Sequence, residues 1–369
     1  MAASNVSFAV EAHGHVTALS ETEIAARTRA AKRALGTQLL ILGHHYQRDP
    51  VIQFADRTGD SYGLARHAAA SGEARWVVFC GVHFMAETAD ILTGDDVTVL
   101  LPDLKAGCTM ADMADLDQVE TCWEEIGAVC RDTVVPITYM NSTAAIKAFT
   151  GAHGGAVCTS SNAEGILRWA FEQGSKVVFL PDQHLGRNTA FFKLGMPRDD
   201  MRVWDPHQPL GGNTPEQVRR TRLFLWAGHC GVHMNFQPQH VDLARQRNPD
   251  VRVIVHPECS FEVVEEADLV GSTDFIIRTI AAAPPGSSWA VATEHHLVAR
   301  LAAEYPDRNV QTLSPFACQC STMYRIDPVD LMRTLEGIPA GELRWPIQVP
   351  PHVAAPARLA LERMLAIPK

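Results

Sequence analysis

The stretch LLILGHHYQRDPVIQFADRTGDS, from Leu39 to Ser61, sets a pattern that the rest of the chain repeats. Its apolar run, Leu39 to Leu42, is too short for a helix and predicts a buried strand. Polar residues, His44 and Tyr46, follow the strand, and Ser61 precedes the apolar-periodic segment YGLARHAAA as a helix N-cap does. Ligands of open α/β sheets bind beyond the carboxyl ends of strands and at helix N-termini. The stretch therefore predicts functional groups at one edge of a parallel sheet.

The same pattern occurs twice more along the chain. VPITYM at Tyr139 and VRVIV before His256 predict equivalent strands. Ser160 and Thr273 precede the equivalent helices, AEGILRWAFEQ and FIIRTIAAA. Each helix leads into another apolar run, so the chain reads as a βαβ unit present in triplicate.

Each repeat closes with a cysteine. Cys108 and Cys320 lie 47 residues after Ser61 and Thr273, whereas Cys230 lies 70 residues after Ser160, so the middle repeat needs an insertion. We predict an α/β protein of three similar α/β/α lobes with short parallel sheets. Pseudo-threefold symmetry would arrange the lobes around a central active site.

The repeats also define the predicted domains. The boundaries are 1–37 for an N-terminal extension and helix, 38–115 for lobe 1, 116–235 for lobe 2 with insertions, and 236–320 for lobe 3. The tail, 321–369, is expected to pack on lobe 1. Residues 1–19 are expected to lack regular structure, and Ser20 with Glu23 predicts a capping box at the start of the first helix.

Composition narrows the class of protein. The chain has 369 residues, a net charge of −10 and 46% hydrophobic residues, with no basic patch that would favour nucleic acid. No apolar run approaches the ~20 residues of a membrane span. The start lacks the features of a signal peptide. The nine cysteines are an odd number, which favours reduced thiols and a cytoplasmic location.

Three single cysteines, one per lobe, would meet near the axis that relates the lobes. Thiolates are soft metal ligands, and the paired spacings of a structural zinc site are absent. A closed iron–sulfur cluster usually has four cysteines, so three favour a cubane with one open iron. The other cysteines are interpreted as small buried hydrophobes: Cys80, Cys122, Cys130, Cys158 and Cys259.

Cys318 lies two residues before Cys320. Three interpretations of it stay open: a neighbour of the ligand, a disulfide partner or the true ligand. The match between Cys108-Thr109-Met110 and Cys320-Ser321-Thr322-Met323, a small polar residue and a Met after each cysteine, favours Cys320.

The three hydroxyl residues at the helix starts, Ser61, Ser160 and Thr273, would direct unpaired N–H groups to the same region. Helix N-termini attract anions, so three of them suit a small, multiply anionic substrate such as a dicarboxylate. The alternative is that each residue only caps its helix.

Several longer segments of the sequence resemble those of a known family. These are GHHYQ at Gly43, FADRTGDS ending at Ser61, ITYMNSTA at Ile137, CTSSNA at Cys158, VHPEC at Val255 and GSTDFI at Gly271. Together, over about residues 38–330, they resemble the quinolinate synthase family, in its longer form. That resemblance implies a transferase of NAD biosynthesis that condenses iminoaspartate with dihydroxyacetone phosphate to quinolinate, releasing phosphate and water. It also implies one [4Fe–4S] cluster per chain, whose open iron acts as a Lewis acid.

The resemblance assigns roles residue by residue. It places cluster ligands at Cys108, Cys230 and Cys320; substrate-binding groups at His44, Ser61, Tyr139, Asn141, Ser160 and Thr273; and catalytic groups at Tyr46, His256 and Glu258. It also implies a functional link to an enzyme that produces iminoaspartate, and no nucleic-acid or membrane partner.

Two departures from the family pattern matter. His45 stands where many members have Asn and receives no role, and the Gly-rich insertion leaves the choice between Ser160 and Ser161 open. Two other classes of function compete: a redox or iron sensor with a labile cluster, and a zinc hydrolase, which would need an H-E-x-x-H helix or comparable spacing that the chain lacks.

Overall fold

The structure is a computed structural model that describes residues 8–12 and 15–367. It divides into two compact units, each treated by itself below. The first holds the described residues up to Gly59, together with Gly63–Gly107 and Ser321–Gln348. The second holds Asp60–Tyr62, Cys108–Cys320 and the described residues from Val349 onward.

The helices and strands follow one another in chain order. The first part of the chain forms β1 (Phe8–Ala12), β2 (His15–Leu19), α1 (Glu21–Leu35), β3 (Leu39–His44), α2 (Asp49–Ile52), β4 (Arg57–Gly59), α3 (Ser61–Ala69), β5 (Trp76–Cys80), α4 (His83–Leu92) and β6 (Thr98–Leu100). The middle part forms α5 (Leu116–Val129), β7 (Val134–Tyr139), α6 (Ala144–Ala152), β8 (Ala156–Cys158), α7 (Ala163–Gln173), β9 (Lys176–Leu180), α8 (Gln183–Leu194), β10 (Met201–Trp204), α9 (Pro215–Arg220) and β11 (Leu223–Trp226). The last part forms α10 (Pro238–Arg247), β12 (Arg252–Val255), α11 (Phe261–Glu266), β13 (Leu269–Val270), α12 (Thr273–Ala282), β14 (Ser288–Ala292), α13 (His295–Glu304), β15 (Asn309–Thr312), α14 (Pro328–Ala340), β16 (Pro346–Ile347) and α15 (Pro351–Ala366).

Three sheets share one strand order. The first runs β4-β3-β5-β6, the second β8-β7-β9-β11 and the third β13-β12-β14-β15, with parallel neighbours throughout. In each sheet the earliest strand lies between the second and the third, and a helix joins successive strands. The predicted class, three α/β/α lobes with short parallel sheets, is confirmed.

Burial explains why these segments form strands. In β9 and β11 every residue is buried, and β7 is buried from its second residue onward. Strands covered on both faces by crossover helices read as continuous apolar runs rather than as alternating ones. This is the pattern that KVVFL and VPITY show in the sequence.

Two sheets carry an extra edge strand. The short β16 pairs antiparallel with β6 in the first sheet, and β10 pairs parallel with β11 in the second. Strand β10 belongs to the predicted insertion of the middle lobe. There Gly211, at φ +62°, packs so closely on the Trp204 indole that a Cβ would overlap the ring.

Expectations for the N-terminal segment are partly wrong. Strands β1 and β2 pair antiparallel, because FAVEA and HVTAL are short segments only two residues apart in the sequence. Residues 1–7, 13 and 14 lie outside the described residues. Helix α1 begins after the predicted N-cap: Ser20 accepts a hydrogen bond from the Glu23 N–H at 3.2 Å, which is the serine half of the predicted capping box.

The expectation that the whole tail packs on lobe 1 is wrong for its last helix. Helix α15 packs on α6 and β8, in the second sheet's lobe. Gly151 of α6 allows this approach, since a Cβ there would overlap the carbonyl group of Pro356. The Arg363 guanidinium then donates to the Gly155 carbonyl at 2.6 Å, and the Asn162 amide donates to the Met364 carbonyl at 3.3 Å.

Among the described residues, no helix combines the length and the apolar character that crossing a membrane requires.

Candidate functional site

The three cysteines predicted as ligands occupy the same local structure. Cys108, Cys230 and Cys320 each follow the fourth strand of a sheet and stand three residues before a 3-10 helix. These helices are Ala111–Met113, His233–Asn235 and Met323–Arg325. The equivalence holds for Cys320 and not for Cys318, whose buried thiol lies 3.6 Å from the Phe316 carbonyl.

The thiols of the three cysteines lie close enough to influence one another. Each residue keeps some exposed surface, and the thiols of Cys108 and Cys230 are buried. Burial, and to a smaller degree the charge of Cys320, raise the pKa of Cys108 to about 12. Burial and the charges of Glu258, Cys108 and Cys320 raise the pKa of Cys230 well above its usual range. A bound cation would remove this penalty, since metals bind the thiolate form.

Backbone N–H groups also point at these sulfurs. Met110 and Ala111 hydrogen-bond the Cys108 thiol, and His233 does so for Cys230. Such donors favour the thiolate, so the 3-10 turns after Cys108 and Cys230 prepare these cysteines to act as ligands.

Next to the thiols lies a buried carboxylate shared by two imidazoles. Glu258 Oε2 is 2.7 Å from His233 Nδ1 and 3.3 Å from His256 Nδ1. The two imidazole rings stack with centroids 4.6 Å apart. All three side chains are buried. The second oxygen of the carboxylate, Oε1, has no hydrogen-bond partner among the described residues.

The electrostatics of this group follow from burial and pairing. Burial raises the pKa of Glu258, but the charges and hydrogen bonds of His233 and His256 outweigh it and leave the pKa below its usual range. Burial lowers the pKa of His256 despite the opposing effect of Glu258. The group therefore offers an ionised carboxylate beside two imidazoles.

The ligand atoms of Cys230, His233 and Glu258 all lie within 4.8 Å of one another. These three side chains could therefore hold a single metal ion, as an alternative to the site formed by the three cysteines. His233 was not predicted from the sequence. Its signal is its position three residues after a ligand cysteine, at the start of the 3-10 turn.

Two buried acids near the site were also missed. Asp182 caps α8 and Glu294 caps α13, and each accepts hydrogen bonds from the first backbone N–H groups of its helix. Glu294 Oε1 also accepts from the Cys320 N–H at 3.3 Å. The sequence does indicate these acids: in the equivalent segments PDQHLG and TEHHL, an acidic residue precedes the aligned histidine.

Asp182 differs in its charge state from Glu258. Burial, followed by the negative charge of Glu258, raises the pKa of Asp182 well above its usual range. Its Oδ1 accepts from the His184 and Leu185 N–H groups, and its Oδ2 has no partner among the described residues. Asp182 is therefore a buried acid that favours its protonated form.

The hydroxyl residues predicted as helix caps do not all cap. Ser61 and Thr273 are the first residues inside α3 and α12. The cap of α12 is Ser272, whose hydroxyl accepts from the Phe275 N–H at 3.3 Å. The prediction failed by one position because adjacent Ser and Thr residues satisfy the same sequence signal.

The middle lobe differs again. Asn162 holds the N-cap position of α7, and Ser160 lies in the turn before it. The Ser161 hydroxyl donates a hydrogen bond to Asp60 Oδ2 at 2.6 Å. Of the two serines, Ser160 is therefore the one that does not make this bond.

The other predicted substrate-binding residues lie at strand ends. Tyr139 ends β7 and is buried. Asn141 follows two residues later, and its Oδ1 is a buried acceptor without a donor among the described residues. In the first unit, His44 ends β3, and its Nδ1 accepts from the Tyr46 N–H at 3.1 Å, with the two rings 4.7 Å apart.

The fold and these residues define a three-lobed α/β protein with a candidate thiolate metal centre. Residues 26–366 match the family model described as Quinolinate synthetase A protein. The chain is 57% identical to the quinolinate synthase of Nocardioides sp. over 97% of this chain and 93% of that protein. It is 54% identical to the one of Herpetosiphon aurantiacus, over 100% and 98%, and 56% identical to that of Streptomyces coelicolor, over 97% and 92%. The chain belongs to the quinolinate synthetase A family.

The charge state of Asp182 generates a test of pH-dependent stability. A carboxyl whose pKa is raised by folding binds more protons in the folded than in the unfolded state. Its contribution therefore falls as pH rises above the unfolded value of about 3.9, by up to about 1.4 kcal/mol per pH unit. Asp182→Asn keeps the capping oxygen and removes this loss. We expect the variant to gain stability over wild type from about pH 5 to about pH 8, measured as free energy of unfolding in denaturant.

The matched control is Asp115→Asn at the exposed N-cap of α5, where the side chain accepts from the Asp117 N–H at 3.0 Å. It has the same capping chemistry without burial, so the difference in unfolding free energy between this variant and wild type should not grow with pH. A stability difference between Asp182→Asn and wild type that does not grow in favour of the variant from about pH 5 to about pH 8 would refute the protonated buried acid.

Proposed function

We propose that this chain is a quinolinate synthase, a transferase that condenses iminoaspartate with dihydroxyacetone phosphate to quinolinate and releases phosphate and water. Family membership supports the activity. The observation that carries it is the set of three cysteines in identical local structure, beside the buried Glu258 pair with His233 and His256. The reaction belongs to NAD biosynthesis, and its unstable imine substrate implies a functional link to an iminoaspartate-producing enzyme in the cytoplasm.

Cys108, Cys230 and Cys320 would hold the [4Fe–4S] cluster. The donor set fits, since three soft thiols interact with one another and two of them, Cys108 and Cys230, have backbone N–H donors. When bound, the cluster supplies Lewis-acid chemistry at the iron that has no cysteine ligand.

The chain's own residues would bind and orient the substrates. Asn141 offers a buried acceptor oxygen for a donor on the substrate. Ser61, Ser160 and Thr273 stand at or just before helix starts, where hydroxyl and backbone N–H groups suit carboxylate and phosphate oxygens. His44 and Tyr139, both buried at strand ends, would add an imidazole and a phenol to substrate recognition.

Proton transfer would fall to Glu258, His256 and Tyr46. One oxygen of Glu258 is paired with two imidazoles, and the other has no donor among the described residues, so Oε1 is the atom that would take a proton from substrate. His256 would then stabilise the changing charge on the carboxyl group, and Tyr46 would serve as the second acid–base group.

A mononuclear metal on Cys230, His233 and Glu258 is the competing arrangement, favoured by their mutual distances of at most 4.8 Å. Counting iron and acid-labile sulfide in anaerobically purified protein separates the two. Iron with matching sulfide supports the cluster, and a single ion without sulfide supports the competing site.

Single Cys→Ser variants test the ligand assignment. We expect Cys108→Ser, Cys230→Ser and Cys320→Ser each to lose most bound iron and sulfide and the visible charge-transfer absorption, because each removes one ligand. Cys318→Ser and Cys122→Ser serve as controls and should retain the cluster. A Cys320→Ser protein with full iron content and a Cys318→Ser protein without it would reassign the third ligand.

Glu258→Gln tests the proton-transfer role. The variant keeps the size of the side chain and removes the ionised oxygen, so turnover should fall by about 10²–10⁴-fold. Iron content should be unchanged. Glu262→Gln, an exposed glutamate in the same lobe, is the control and should keep full turnover. Loss of metal together with turnover would instead assign Glu258 to metal binding.

Adjacent hydroxyls on α12 separate substrate binding from capping. Thr273→Ala should raise KM by about tenfold to a hundredfold, the effect of losing one hydrogen bond to a charged group, with little change in stability. Ser272→Ala removes the observed cap and should cost about 0.5–2 kcal/mol of unfolding free energy with KM unchanged. If Thr273→Ala leaves KM at the wild-type value, its hydroxyl does not bind substrate.

A further inference from the structure

The insertion of the middle lobe builds a cavity that the proposed reaction does not use. Residues 195–222 separate α8 from β11 and add the edge strand β10, whereas the other two lobes pass from the third to the fourth strand without such an addition. A cavity of about 630 Å³ opens beside β10. Its lining includes Arg187, Arg198, Arg202 and Met201, none of which belongs to the candidate site described above.

The cavity is rich in positive charge in a chain whose net charge is −10. Three arginines line it, Arg187 from α8, Arg198 just before β10 and Arg202 within β10, against one acid, Asp199. Among the described residues, no ion pair within 4.0 Å joins any of the three to a carboxylate. Burial, and then the positive charge of Arg198, lower the pKa of Arg187. Arg187 and Arg198 therefore lie close enough to repel each other, and the charges of Glu262 and Asp182 offset only part of the effect on Arg187.

Two of the guanidinium groups are held in place. Arg187 donates to Gln183 Oε1 at 3.1 Å, and the Arg198 guanidinium lies over the Phe261 ring at 4.6 Å from its centroid. Phe261 is itself stacked on Phe192, with centroids 5.2 Å apart. Fixed guanidinium groups lose little conformational freedom on binding and suit bidentate recognition of carboxylate or phosphate.

The cavity also has an apolar side. Met201 and Leu225 contribute buried apolar surface to the lining, and Val203 contributes an exposed side chain. A volume of about 630 Å³ falls in the range of small-molecule sites. The combination favours a compact ligand with an apolar body and at least two negative charges.

We propose that this cavity is a binding site for a small polyanion, carrying phosphate or carboxylate groups, separate from the candidate metal centre. The arginines bind the anionic groups, and the apolar wall contacts the body of the ligand. This inference goes beyond the proposed function and does not depend on turnover.

Calorimetric titration of the full chain tests the proposal, with inorganic pyrophosphate and phthalate as separate probes at fixed ionic strength. We expect wild type to bind at least one probe. Arg198→Gln and Arg202→Gln should each weaken that binding about tenfold or more, as expected when one charge-assisted hydrogen bond is lost. Pyrophosphate alone would identify phosphate recognition, and phthalate alone would identify dicarboxylate recognition.

Arg220→Gln is the matched control, since it removes an equal charge from the same insertion at an exposed residue that pairs with Glu216 at 2.6 Å. It should bind the probe as wild type does. Both tested arginines are exposed, and circular dichroism checks that their variants fold. The proposal is overturned if wild type binds neither pyrophosphate nor phthalate at millimolar concentration. It is also overturned if wild type and both cavity variants bind a probe with equal affinity.

Discussion

The constraint on which this structure depends is the crossover connection. Parallel strands cannot be joined by tight turns, so each connection carries a helix across the sheet and returns the chain to the same starting edge. All carboxyl ends in a sheet then lie at one edge. The shared order, with the first strand between the second and third, gives every lobe four loops at that edge. The imidazoles, hydroxyls, acids and cysteines of the candidate site lie at these strand ends, in the segments that follow them or at the helix starts.

Two acids in the second unit illustrate how local partners decide charge inside a protein. Glu258 and Asp182 are both buried, and burial alone would raise the pKa of both carboxyls. Glu258 has two imidazoles within 3.3 Å and is held ionised, whereas Asp182 has only backbone donors on one oxygen and feels the charge of Glu258. One ionised carboxylate therefore favours a proton on the other, so that the pair combines a base with an acid.

The middle lobe shows where the repeat was modified. Its core still has the four-strand order, while the insertion extends the sheet by β10 and the tail covers α6 with α15. The close approach at Gly151 makes the tail part of the lobe's packing rather than a loose end. The arginine-lined cavity occurs at the insertion, where side chains were not needed to complete the four-strand unit.

The sequence by itself determined the strands, the helices and the triplication, because short apolar runs and helical periodicity depend on local spacing along the chain. It also determined that Cys108 and Cys320 are equivalent, because both lie 47 residues after a helix start and similar residues follow them. The insertion breaks this spacing at Cys230, whose equivalence the following 3-10 helix shows. The cap of α12 was misplaced by one residue, since Ser272 and Thr273 carry the same signal and only backbone geometry distinguishes them. Only the tertiary structure decided that His233 shares Glu258, that burial and the charge of Glu258 raise the pKa of Asp182, and that α15 packs on α6. These features depend on distances between residues far apart in the chain, and neither periodicity nor composition contains those distances.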